Sequence, residues 1–189
     1  PGLIEGGLDL PEDYGLRYTY FPTVPKPIIG AINGPCAGLG MVMALYADVR
    51  IAAESAVFTT AFSRRGLIAE HGISWMLPRL VGQAAALDLL ISARKVRSDE
   101  ALRLGLVNQV CPDADLHETV RAYAEDLASN VSPRSMAVMK RQLYTTPFQN
   151  LEQAVEDGNR EMALSFESED FKEGVAHFVE KRPAQFTGR

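Results

Sequence analysis

The stretch "NGPCAGLGMVMALYADVR", Asn33 to Arg50, decides how the chain is read. Just before it, "KPIIGAIN" is a short β-branched run bounded by proline and glycine, which predicts a buried strand. The run breaks at Gly34-Pro35, then passes through Gly38 and Gly40 into an apolar segment. A helix over 38–47 is expected there, apolar all round and so buried on all sides.

Three readings of this glycine-flanked helix start compete. A phosphate loop of the GxGxxG kind needs a third glycine where Met43 stands, and the GK[ST] of a Walker loop is absent. A purely structural turn uses glycine for tight strand-to-helix geometry and close packing. An oxyanion site uses the first N–H groups of a helix, which have no intrahelical partner and carry the positive end of the dipole. Glycines let a substrate carbonyl approach that backbone, where a developing negative oxygen is strongly stabilised.

Outward from this turn, "DVRIAAESAVFT" predicts two short strands with a turn at Glu54-Ser55, and "SRRGLIAEHG" a loop. "GISWMLPRLVG" predicts a short helix stopped by Gly82, and "QAAALDLLISAR" an amphipathic helix. Ser98 is placed as the N-cap of the next helix, with Asp99 and Glu100 in its first turn and Gly105 as its stop. "LVNQVC" predicts a strand, and helices follow at about 115–130, 133–145, 149–166 and 168–180. The class is α/β, strand–helix units first and a helical last third. The expected division is 1–26 irregular, 27–112 core and 113–189 helical.

Composition excludes several functions. The 189 residues carry a net charge of −5, against the basic face that nucleic acid requires. No apolar run approaches a membrane span, and the start lacks the pattern of a signal peptide. Cys36 and Cys111 lie far apart outside any CxxC pair, and the three histidines are scattered. Free thiols in a reducing compartment, and no metal, are the expectation. The chain opens on Pro1 rather than Met, which reads as a piece of a longer protein.

The segment "KPIIGAINGPCAGLGMVMALYADVRIAAESAVF" resembles the signature of the crotonase superfamily, the enoyl-CoA hydratase/isomerase family. The likeness continues through "SRRGLIAEHGISWMLPRLVG", "ARKVRSDEALRLGLVNQV" and "EGVAHFVEKRPAQF", about residues 25–186. The resemblance implies a β-spiral core with a helical C-terminal trimerisation region. It also implies acyl-CoA thioester substrates, no cofactor beyond the coenzyme A of the substrate, a cytoplasmic location, and a homotrimer or dimer of trimers. The backbone N–H of Leu39, between the paired glycines, is implied as one of two donors to the thioester oxygen as an enolate forms. The second donor of the family falls before Pro1.

The hydratase glutamates of the family fall at Val42 and Phe62, and neither can transfer a proton. Efficient water addition is therefore not expected. Glu70 is the remaining acid/base candidate, in a loop that lines the acyl pocket in the family, with His71 beside it. A surface carboxylate or a helix-start carboxylate is the plainer role for Glu70. The resemblance also implies Ala37, Gly38, Gly40, Val42, Ala61, Phe62, Arg65, Phe178 and Lys181 as substrate-binding positions. Arg64 and Arg182 are weaker candidates for the phosphates of coenzyme A. Asp48 is expected to be structural, and Trp75 and Met76 to pack or wall the pocket. The expected function is enolate stabilisation on an acyl-CoA. A C–C bond hydrolase or decarboxylase of the same fold, and a non-catalytic acyl-CoA-binding protein, are the alternatives.

Overall fold

The structure, a computed structural model, describes residues 8–189. These divide into two compact units. One comprises Gly15–Phe21 and Ile28–Arg121; the other comprises residues 8–14, Pro22–Pro27 and Ala122–Arg189. Among the described residues of the expected irregular lead-in, only the short 3-10 turns Glu12–Gly15 and Phe21–Thr23 form. The rest of that expectation lies outside the described residues.

The first unit holds two three-stranded sheets. In one, β1 (Ile29–Ile32), β3 (Val49–Ala53) and β6 (Gln109–Cys111) run parallel in the order β1-β3-β6. In the other, β2 (Pro35–Ala37) pairs parallel with β4 (Val57–Thr59), and β4 pairs antiparallel with β5 (Val96–Arg97). The strands flanking Glu54-Ser55 are therefore not partners of each other. Each successive strand pair, β1–β2 and then β3–β4, lays one strand into each sheet. Reading straight from Gly34-Pro35 into a helix missed β2, which starts on a proline, a position that strands tolerate.

Asp48 has the structural role expected of it: its carboxylate accepts the Ile28 N–H at 2.7 Å, pinning the start of β1 to the entry of β3. The core of this unit is built on Met41, Leu45, Ile51, Phe58, Ile73 and Leu77, all at most 1% exposed. Each such side chain contributes about 1.5–3 kcal/mol on burial.

Three helix expectations need correction. Helix α1 spans Leu39–Leu45, shorter than 38–47, and buries only Met41, Val42 and Leu45; Leu39 and Met43 are 37% and 39% exposed. Helix α2 (Ile73–Val81) stops at Gly82 as read, but α3 (Gln83–Ser92) is not amphipathic: Ala86 and Leu89 are buried while Leu87 and Ile91 face solvent. Helix α4 (Ser98–Arg103) begins at Ser98 with Arg97 in the cap position. The Ser98 hydroxyl instead donates to the Glu54 carbonyl at 2.7 Å, because a buried hydroxyl must find a partner.

Helix α5 (Leu116–Asn130) leads out of the first unit. In the second, α6 (Pro133–Thr145), α7 (Leu151–Glu167) and α8 (Glu169–Glu180) match the periodicity to within two residues. Their starts carry side-chain caps: Ser132 on α6, Asn150 with Gln153 as a capping box on α7, and Ser168 on α8. Buried Asp170 accepts from the Ser132 hydroxyl at 2.5 Å and the Thr187 N–H at 2.8 Å, fastening the C-terminal segment.

Candidate active site

The turn into α1 is made by Gly38 at φ 51 and ψ −122, a conformation that a side chain would strain. Its N–H donates to the Thr59 carbonyl at 3.1 Å, tying the turn to the end of β4. The first N–H to bond back along the helix is that of Val42, to the Gly38 carbonyl at 3.0 Å. The N–H groups of Leu39, Gly40 and Met41 therefore have no partner within the helix. A Cβ added at Gly40 would meet nothing within 4 Å, so this side of the turn is open.

Beside the turn lies a cavity of about 590 Å³. Ala37, Thr59, Ala61 and Ala93 form its small-residue wall. Arg64, Arg65, Arg94 and Lys95 supply four cations. The cavity thus gathers four of the sequence-predicted positions, Ala37, Ala61, Arg65 and the weaker candidate Arg64. Leu39, Gly38 and Gly40 lie next along the chain from Ala37 but do not line it.

Hydrogen bonds fix the wall. The Thr59 hydroxyl donates to the Ala93 carbonyl at 3.0 Å and accepts from the Ala61 N–H at 3.2 Å. Ala61 and Ala93 both hold positive φ, 61° and 44°, which costs energy for a residue with a Cβ. Arg65 donates to the Ala61 carbonyl at 3.3 Å, and Arg64 donates to the Ser92 carbonyl at 2.9 Å.

Val42 and Phe62 are buried apolar side chains, at 0% and 6% exposure. Glu70 and His71 do not line the cavity. They sit in the loop before α2, with Glu70 Oε2 3.6 Å from His71 Nε2. The Tyr46 hydroxyl, at the C-terminal cap of α1, donates to the His71 carbonyl at 3.3 Å, and the Tyr18 ring meets the His71 ring edge-on. Gly72, at φ 76, follows; a Cβ there would collide with the Tyr46 hydroxyl. The Tyr46 hydrogen bond thus links the Glu70-His71 loop to the residue that caps the C-terminus of α1. Trp75 stacks under the Arg79 guanidinium, and Met76 is buried.

Phe178 and Lys181 belong to the second unit. Phe178 is 79% exposed on α8, and Lys181 is the exposed, left-handed residue that ends the helix. Arg182 is committed locally: it clasps Glu173 through two N–H groups at 2.5 and 2.7 Å and also pairs with Glu180.

Sequence reasoning missed Thr59, Ala93, Arg94 and Lys95. The left-handed Ala93 lacks the glycine that would have marked it, and non-local contacts bring this segment to the wall: the β4–β5 pairing and the Thr59–Ala93 and Arg64–Ser92 hydrogen bonds. Among the described residues no group of three or more His, Cys, Asp or Glu is placed to hold a metal. No helix among them is long and apolar enough to cross a membrane.

Two interleaved sheets of mainly parallel strands, with a glycine turn offering unbonded helix N–H groups, define a mixed α/β fold of the crotonase type. The sequence model of the family described as "Enoyl-CoA hydratase/isomerase" matches residues 11–189, and the chain belongs to that family. It is 39% identical over 180 residues to a Rhodobacter capsulatus protein named "Probable enoyl-CoA hydratase", covering 95% of this chain and 70% of that one. It is 33% identical over 183 residues to the 1,2-epoxyphenylacetyl-CoA isomerase of Escherichia coli K12, covering 97% and 70%. The crystal structure of an enoyl-CoA hydratase from Bacillus anthracis superposes with a TM-score of 0.87 at 31% identity, covering 91% of this chain and 66% of that one. The chain thus spans about two thirds of the length of that solved relative.

Proposed function

We propose that the protein turns over an acyl-CoA thioester through an enolate, with the Leu39 N–H donating to the thioester oxygen. The observation that carries this is the orphaned Leu39 N–H at an open helix start, two residues along the chain from Ala37 in the cavity wall. Such a donor contributes about 2.7–4 kcal/mol of transition-state stabilisation. Glu70, beside His71, is assigned the proton transfer, and Ala37, Ala61 and Arg65 the ligand contacts.

Val42 and Phe62 leave no carboxylate at either hydratase position of the family, nor at the second place where its isomerases often keep one, so efficient water addition is not expected and any proton transfer falls to another group. Relatives named as hydratases and one named as an isomerase keep both reaction classes of the family in view. The buried, apolar Val42 and Phe62 equally favour a second reading, a binding protein without catalysis. Glu70→Gln separates the two. It lowers isomerase turnover at least about tenfold, or about 1.4 kcal/mol, with coenzyme A ester affinity unchanged by calorimetry. A Gln variant equal to the parent removes Glu70 from the mechanism, and a parent that binds the ester without turnover makes it a binder.

The exposed Leu151, Val155, Phe166, Phe171, Phe178 and Val179 of α7 and α8 form more apolar surface than a lone helical face leaves in water. A homotrimer or dimer of trimers is proposed to cover it. Light scattering that reports a monomer at micromolar concentration contradicts this.

A further inference from the structure

Among the described residues the Glu70 carboxylate pairs only with the His71 ring, its Oε2 lying 3.6 Å from Nε2. Where that carboxylate stands therefore depends on how His71 is held. His71 is held from two sides. Its ring meets the Tyr18 ring edge-on, with centroids 4.9 Å apart. Its carbonyl accepts from the Tyr46 hydroxyl. The neighbouring carbonyls serve α2 instead: that of Glu70 accepts the Ile73 N–H at 3.1 Å, and that of Gly72 accepts the Trp75 and Met76 N–H groups, each at 3.0 Å.

The turn needs such support. His71 at φ 54 and Gly72 at φ 76 are two left-handed residues in succession. A Cβ makes that region costly for His71, and residues of this kind persist where their surroundings over-determine them. Tyr46 supplies the constraint. It caps α1 and is 2% exposed, so its ring has little room to move. Burial pushes its hydroxyl up from the ordinary value, which keeps it a donor at neutral pH. The hydrogen bond is long at 3.3 Å, and close packing reinforces it: Gly72 lies so near the Tyr46 hydroxyl that a Cβ would collide there.

We propose that Tyr46 is a positioning residue for Glu70: its hydroxyl, seated against Gly72, holds the left-handed His71-Gly72 turn and through His71 fixes where the Glu70 carboxylate stands. The inference rests on the assignment of proton transfer to Glu70, and it adds the buried group through which α1 sets that carboxylate in place.

The test compares the parent, Tyr46→Phe, Glu70→Gln and the double variant in α-proton exchange of an acyl-CoA. Tyr46→Phe keeps the ring and removes only the hydroxyl. It is expected to lower kcat about tenfold, the effect of a slightly misplaced catalytic group, with KM unchanged. Two residues acting through one path are not additive, so in the Glu70→Gln background Tyr46→Phe is expected to remove nothing further. An equal loss in both backgrounds, or a change in KM alone, overturns the proposal. Thermal melting tests the contact itself without reference to turnover: Gly72→Ala should lower the melting temperature more in the parent than in Tyr46→Phe, where the colliding oxygen is gone. Equal lowering in both also overturns it. A parent without exchange, or Glu70→Gln at the parent rate, removes Glu70 from the mechanism and the positioning role with it, and the first two proteins of the melting comparison still report the contact separately.

Discussion

The Val42 N–H bonds to the Gly38 carbonyl at 3.0 Å, and this one contact sets where α1 begins its ladder. Everything before it, Leu39 included, is a donor without a helical acceptor. Leu39 is also the first helical residue, a position where proline is tolerated because its missing N–H is an orphan already. Leu39→Pro is therefore expected to delete the donor and keep the fold. Circular dichroism and melting temperature close to the parent check the second half of that statement.

Burial pushes the Cys36 thiol up to about 11. At pH 8 only about one thiol in a thousand is then ionised, and the thiolate is the reactive form. Native protein is expected to leave Cys36 unmodified by Ellman's reagent over an hour and to expose it at once in guanidinium chloride. Rapid native modification at Cys36, read by peptide mass, contradicts the assignment.

The Arg182 guanidinium, with help from the Gln185 N–H, holds the Glu173 carboxyl down to about 2 against the opposing effect of desolvation. A carboxyl depressed in the folded state stabilises the protein above its unfolded value and loses that contribution as pH falls through the folded one. The loss is expected between about pH 4.5 and pH 2. Thermal melts over that window check it: Glu173→Gln should melt lower at pH 7 and lose less on acidification, and parallel profiles would refute the linkage.

The last third of the chain was legible because its helices are long, and the structure places them within two residues of the expected bounds. Their side-chain caps, Ser132, Asn150 with Gln153, and Ser168, are visible only in the structure. In the first unit the local signals give out. Two- and three-residue strands such as β5 and β2 hold too few side chains to show a period, and their pairing is non-local. Ser98 looked like a cap but is spent on Glu54, a tertiary contact that sequence spacing does not encode. The same limit applies to the site. Gly38 and Gly40 marked the turn, whereas Ala93 and Lys95 reach the cavity through non-local contacts, the β4–β5 register and the Thr59–Ala93 hydrogen bond.

Exchange of the α-protons of a saturated acyl-CoA for deuterium tests the enolate account most directly. The account predicts that the parent incorporates deuterium at the α-carbon. Leu39→Pro, folded and binding the ester with similar affinity, should exchange about 10²-fold more slowly, the effect of one oxyanion donor. Exchange by Leu39→Pro at the parent rate would contradict it.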